Sequence, residues 1–229
     1  MTLSTRGSEV PVPMTDPGDV STVDRFLGRR GQVTRQKLLD AATGLLESST
    51  YRDLKVVDIA RDAGTSPATF YQYFADVEDA VLAIADEMAS TVGPDLATRI
   101  VGRTWSGEDA WQASLDIADG FIELWDRDRP VLRVIDLATD EGDARFRNVR
   151  TRLLGAPAEA FVEVLQSRDP SASRSKALSD AGVLVSMLAH VAAHRDGLEQ
   201  WGATGTDLRC SMARVVFTTM TGQSVPDSS

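Results

Sequence analysis

The chain has one cysteine, Cys210, in 229 residues. A lone thiol excludes an intramolecular disulfide framework and any zinc site built on cysteines, and it makes a reducing cytoplasm the simplest compartment. Histidine is nearly as scarce, with two residues, His190 and His194. They stand four apart, the spacing of two metal ligands on one helix face, but no third ligand accompanies them and no metal site is expected. Gly-rich phosphate loops are missing, and the carboxylates are scattered along the chain. No catalytic residue, no cofactor and no enzyme activity are therefore expected. There is no 18-residue apolar run, so no membrane span is expected. Val10 to Met14 is interrupted by two prolines, which argues against a signal peptide. Strict apolar–polar alternation is absent, so essentially no strand is expected.

Basic charge is also in short supply. Lys and Arg number 24 against 34 Asp and Glu, a net charge of −10. The balance is uneven, however. Residues 21–75 hold eight Lys and Arg against six acids, whereas residues 76–150 hold eight against seventeen. The one net-positive region can meet a polyanion, because salt screens charge beyond about 8 Å.

What is present is helical periodicity. Residues 1–23, rich in Ser, Thr, Pro and Gly, read as a disordered leader, and residues 221–229 as a disordered tail. Leu38, Ala42, Leu45 and Leu46 predict a helix over about 32–48. Val56, Ile59, Ala60 and Ala63 predict a short second helix, ended by Gly64. Ser66 caps a third, with Pro67 in its first position and Phe70 and Phe74 on its buried face. Asp76 caps a fourth. Further helices are expected over about 107–127, from Pro130, over about 143–168 with a kink near Pro157, over 173–196 and over 206–220. The fold class is all-α, with a domain over 24–75 and a larger one over 76–220.

The second and third helices with the Gly64 turn between them form a helix-turn-helix, whose second helix enters the DNA major groove. On that reading Ser66, Pro67, Ala68, Thr69, Tyr71, Gln72 and Tyr73 face double-stranded DNA. Hydroxyls and free N–H groups bind phosphate, and Gln72 can read an adenine edge. Arg30, Arg35 and Lys55 supply cations for the backbone.

Residues Thr34 to Leu82 carry a family resemblance. Thr34-Arg35, Leu38-Leu39, Ala41-Ala42, then Val56, Asp58-Ile59-Ala60, Ala63-Gly64 and Ser66, then Thr69-Phe70-Tyr71 and Tyr73-Phe74 resemble the DNA-binding domain of TetR-family transcriptional regulators. Three positions depart from that pattern: Thr50 for Gly, Lys55 for Ser or Thr, and Val77 for Lys. The resemblance implies a homodimer bound to a palindromic operator, most often as a repressor, and a C-terminal domain for a small effector.

The C-terminal part has no motif of its own. Trp111, Leu115, Ala118, Ile122 and Trp125 form an apolar stripe at helical spacing. Trp111, Leu115, Ile122 and Trp125 supply no charge and are expected to contact an uncharged or amphipathic effector with a sizeable hydrophobic part, with His194 as a hydrogen-bond partner. Leu184, Met187, Leu188, Val191, Val215, Val216 and Met220 mark the last two helices as apolar over much of their surface and as the expected dimer interface. An alternative is a DNA-bound protein that recruits a partner protein through the acidic segment 76–150, without an effector.

Overall fold

The computed structural model describes residues 28–225, and every regular element in them is helical. The expected leader lies outside those residues, as do residues 226–229 of the expected tail. Helix α1 is Arg29–Ser48, followed by a 3-10 turn at Tyr51–Asp53, α2 at Val56–Asp62 and α3 at Pro67–Phe70. The larger part contains α4 (Val77–Thr98), α5 (Gly107–Asp140), α6 (Ala144–Arg168), α7 (Arg174–Ala193), α8 (Arg195–Gln200) and α9 (Gly205–Thr221).

Several boundaries depart from the sequence expectation for identifiable reasons. Helix α3 stops at Phe70. The Gln72 and Tyr73 N–H groups donate to carbonyls three residues back, at 3.1 and 2.9 Å, so the chain tightens before Phe74. The helix expected over 107–127 and the one expected from Pro130 are both present: α5 is two helical stretches that meet at a kink at Asp128 (φ −111°, ψ 16°). Proline at 130 has no N–H for the Asp126 carbonyl, and its ring crowds that carbonyl. Helix α6 runs through Pro157 as one element; the non-helical residue is in α5 instead. The helix expected over 173–196 breaks at His194 (φ −115°, ψ 20°), which separates α7 from α8. Gly222 ends α9 in the left-handed region at φ 71°.

Packing gives one continuous core. Leu38, Ile59, Phe70 and Phe74 fill the N-terminal part; Phe121, Phe146, Phe161 and Phe217 fill the larger one. Helix α4 packs on α1 and on α6, so it belongs to both parts; α5 lies against α9, and α6 against α7. Four of the residues expected at a dimer interface, Leu184, Leu188, Val216 and Met220, are buried inside the protomer. The exposed apolar residues on α7 and α9 are Leu178, Val183 and Val215. Helix α7 is also long and apolar enough to cross a membrane by length and composition, with mean hydropathy 1.2. Its packing on α5 and α6 makes it a core helix on one side.

Small residues let α4 and α6 come close. A Cβ placed on Gly93 of α4 would lie 2.9 Å from the Leu153 carbonyl oxygen of α6. Backbone cannot yield there without parting the two helices. Gly93→Ala is therefore expected to destabilise the fold by about 1–3 kcal/mol despite its better helix propensity. Urea denaturation measures this; a neutral or stabilising effect would show that the seam is loose.

Candidate nucleic-acid interface and effector cavity

The N-terminal part builds its outer surface from one capped turn. Gly64 takes φ 66°, which reverses the chain between α2 and α3 at no Cβ cost. Ser66 Oγ accepts from the Thr69 N–H at 3.1 Å, and Pro67 occupies the first helical position. Phe70 and Phe74 point inward, with ring centroids 5.5 Å apart. Their burial turns Pro67, Ala68, Tyr71 and Gln72 outward; Tyr71 is 60% exposed. Thr69 and Tyr73 are half-buried, and the Thr69 hydroxyl lies 3.0 Å from Ser66 Oγ. That bond engages Thr69 in the cap.

Among the cations, Lys55 is exposed at the start of α2 and provides no side-chain cap. It borders an open groove with Tyr71 and Val77. Arg30 is exposed on α1. Arg35 is placed differently from expectation. Its side chain is 12% exposed, donates to Glu87 of α4 at 2.7 Å, and lies over the Phe74 ring at 5.5 Å. It braces α1 against α4 and is committed within the protomer.

Charged groups join the two parts. Arg145 of α6 donates to Asp143 and to Glu78 of α4, Arg52 pairs with Glu141, and Arg152 with Asp86. The Arg145 bond holds the Asp143 carboxyl well below the usual range. The Glu78 carboxyl is pushed up, first by its hydrogen bond with Asp143 and then by burial. Burial, followed by the Glu78 and Asp76 charges, raises the Tyr51 phenol to about 12.

In the larger part a cavity of about 470 Å³ lies between α5, α6 and α7. Its apolar lining includes Phe121, Leu124, Trp125, Leu132 and Ile135 from α5 and Leu153 and Leu154 from α6. Its charged and polar lining is Arg133, Asp136 and Asp140 from α5, Arg150 from α6, and His190 and His194 from the end of α7. Arg150 Nε donates to Asp136 at 3.1 Å, and burial pushes the Asp136 carboxyl up. The two histidine rings stack with centroids 4.1 Å apart, and His194 Nδ1 lies 2.9 Å from the His190 carbonyl oxygen. The bend at Asp128 lies between the Phe121–Trp125 and Leu132–Asp140 stretches of this lining.

Of the effector residues expected from the sequence, Trp125 and His194 line this cavity. Trp111 faces α9, edge-on to Phe217 at 6.1 Å, while Leu115 and Ile122 are half-buried against the core away from the cavity wall. The stripe spans four turns, and α9 covers its first half. Trp201 is 85% exposed, so one tryptophan of the four lines the cavity. Sequence reasoning missed Arg133, Asp136, Arg150 and Leu153. Arg133, Asp136 and Asp140 do share one helical face, but charges at such spacing read as a solvated surface.

Comparison with known proteins reports on the same two parts. Residues 38–84 match the family model "Bacterial regulatory proteins, tetR family". Residues 96–227, over half the chain, match "Tetracyclin repressor-like, C-terminal domain". The chain belongs to the TetR family. TetR-family proteins are DNA-binding transcriptional regulators rather than enzymes. An uncharacterised HTH-type transcriptional regulator from Haemophilus influenzae is 36% identical over 120 residues, 52% of this chain and 57% of that protein. The chain thus spans little more than half the length of that relative. A tetR-family regulator from Streptomyces coelicolor has a similar fold (TM-score 0.62, 18% identity, 83% of this chain and 80% of that one). So does the transcriptional regulator FadR from Bacillus subtilis in complex with stearoyl-CoA (TM-score 0.59, 16% identity, 82% and 98%).

The geometry separates groups free for DNA from groups that hold the turn. Tyr71→Phe and Gln72→Ala are expected to weaken specific operator binding by about 1–3 kcal/mol each at unchanged melting temperature. Ser66→Ala is expected to lower stability by about 1 kcal/mol as well, since it removes the cap. Mobility-shift titration at fixed salt, paired with thermal melts, tests this; unaltered affinity in both Tyr71→Phe and Gln72→Ala would overturn the assigned face.

Proposed function

We propose that this TetR-family regulator is a homodimeric repressor, released from a palindromic operator when a small amphipathic effector enters the cavity between α5, α6 and α7. One observation carries the reading: Leu153 lines the cavity, and its carbonyl is the group that Gly93 of α4 abuts. A molecule pressing on that wall presses on the helix that also packs against the DNA-binding part. Two recognition elements must stand about 34–36 Å apart to enter successive major grooves, so a small displacement of α4 in each protomer is enough to end the fit. The FadR relative with bound stearoyl-CoA supports an effector with a long apolar part. Arg133, Asp136, Asp140 and Arg150 in the lining revise the expectation of a site without charge. The DNA-facing set is Lys55, Pro67, Ala68, Tyr71 and Gln72, with Arg30 on the backbone.

The dimer is assigned to α7 and α9. On α7, Leu178 and Val183 are exposed and Met187 and Val191 half-buried, and Val215 of α9 is exposed, which leaves apolar side chains for a partner to cover. Val183, 72% exposed, and Val215 are the residues for that interface. Val183→Asp and Val215→Asp should shift the protein to monomer in sedimentation and reduce operator affinity while the monomer stays folded. Dimers that persist in both variants would move the interface elsewhere.

The effector reading is tested with an operator selected from a random DNA pool and a panel of lipophilic compounds. At least one compound is expected to release the wild-type protein. Leu154→Trp, which fills the cavity from its half-buried wall, should retain operator binding and lose that release. Release that survives Leu154→Trp unchanged would place the effector outside the cavity.

A further inference from the structure

Arg133 lines the cavity from a solvent-exposed position, and among the described residues it has neither an ion pair nor a hydrogen bond. The guanidinium of Arg150 is bonded to Asp136. The indole N–H of Trp125, also in the lining, is buried and has no acceptor among the described residues. The cavity thus holds one cation without a protein partner, one buried N–H without an acceptor, and apolar lining from Phe121, Leu124, Trp125, Leu153 and Leu154.

We propose that the effector is an amphipathic carboxylate whose head group pairs with Arg133 and whose apolar part lies against Phe121, Trp125 and Leu153. The proposal rests on the reading of this cavity as the effector site. A guanidinium presents parallel N–H groups that match a carboxylate and hold it in a fixed orientation. The surrounding groups are compatible with that sign. On α5, the Asp136 carboxylate is occupied by Arg150. Asp140 has no ion pair among the described residues, but it stands seven residues beyond Arg133, about 10 Å along the helix axis. On α7, His190 and His194 add nitrogens that can donate to an oxyanion. An uncharged amphiphile would leave Arg133 to water and gain nothing from its charge.

Calorimetric titration with dodecanoate, dodecanol and dodecylammonium, each below its micelle concentration, tests the proposal on the intact protein, with operator release followed in parallel. Wild-type protein is expected to bind dodecanoate roughly tenfold or more tightly than dodecanol. Arg133→Gln should abolish that preference and leave dodecanol affinity unchanged, and Arg133→Lys should restore part of it. Melting temperature should be the same in all three proteins, because the Arg133 side chain has no partner to lose. Equal affinity for dodecanoate and dodecanol, or an unaltered preference in Arg133→Gln, overturns the assignment. So does preferential binding of dodecylammonium, which would hand the head group to Asp140. If dodecanol binds and releases the operator without any carboxylate preference, the anion assignment fails and the effector reading stands. If none of the three binds or releases, both fall.

Discussion

The close approach of α4 to α6 is the constraint on which the rest of the molecule depends. Helix α4 buries Ala80, Val81 and Ala85 in its first half and Ala89, Val92, Gly93 and Leu96 in its second. A row of small residues allows backbone to near backbone, and larger ones would hold the helices apart. Ion pairs along the same seam, Glu78–Arg145 and Asp86–Arg152, are half-exposed. Such pairs contribute about 0–1 kcal/mol each, so they set register more than strength. The apolar contact supplies the stability, and through α4 it connects the N-terminal part to α6, which contributes Leu153 to the wall of the cavity.

Much of the N-terminal part was legible in the sequence because its signals are local. Ser66 before Pro67, Gly64 before both, and Phe70 four residues from Phe74 each follow from backbone chemistry within one turn. The length of α3 was not legible. Whether the helix runs on past Phe70 is decided by how both rings seat in the core, which is a tertiary fact. The same limit applies to Arg35: a cation on the first helix reads as a phosphate ligand until Glu87 and Phe74, far away in sequence, are found beside it.

The larger part was legible in its helices and opaque in its site. Periodicity locates an apolar stripe, but it cannot say which neighbour covers which turn. Helix α9 takes the Trp111 end of the stripe, and only the Trp125 end reaches the cavity. The charged lining was hidden for the opposite reason. Arg133 and Asp136 carry no local mark that separates them from solvated surface residues; they acquire meaning through Leu153, Leu154 and His194 on other helices. Pro130 announced an interruption in α5, yet the bend at Asp128 and the chamber it helps to shape appear only once α6 and α7 are in place.

The placement of the tryptophans gives the molecule a built-in optical asymmetry. Trp201 is 85% exposed, whereas Trp111 and Trp125 are 6% and 7% exposed. An indole in water emits to the red and is accessible to iodide; one in an apolar wall emits to the blue and is shielded. The emission spectrum of the intact protein is therefore a sum in which the solvent-facing residue masks the one beside the cavity. Replacing Trp201 by phenylalanine removes the masking signal without touching any packed surface. The remaining emission then comes from the half-buried Trp105 and the buried Trp111 and Trp125, of which Trp125 alone lines the chamber.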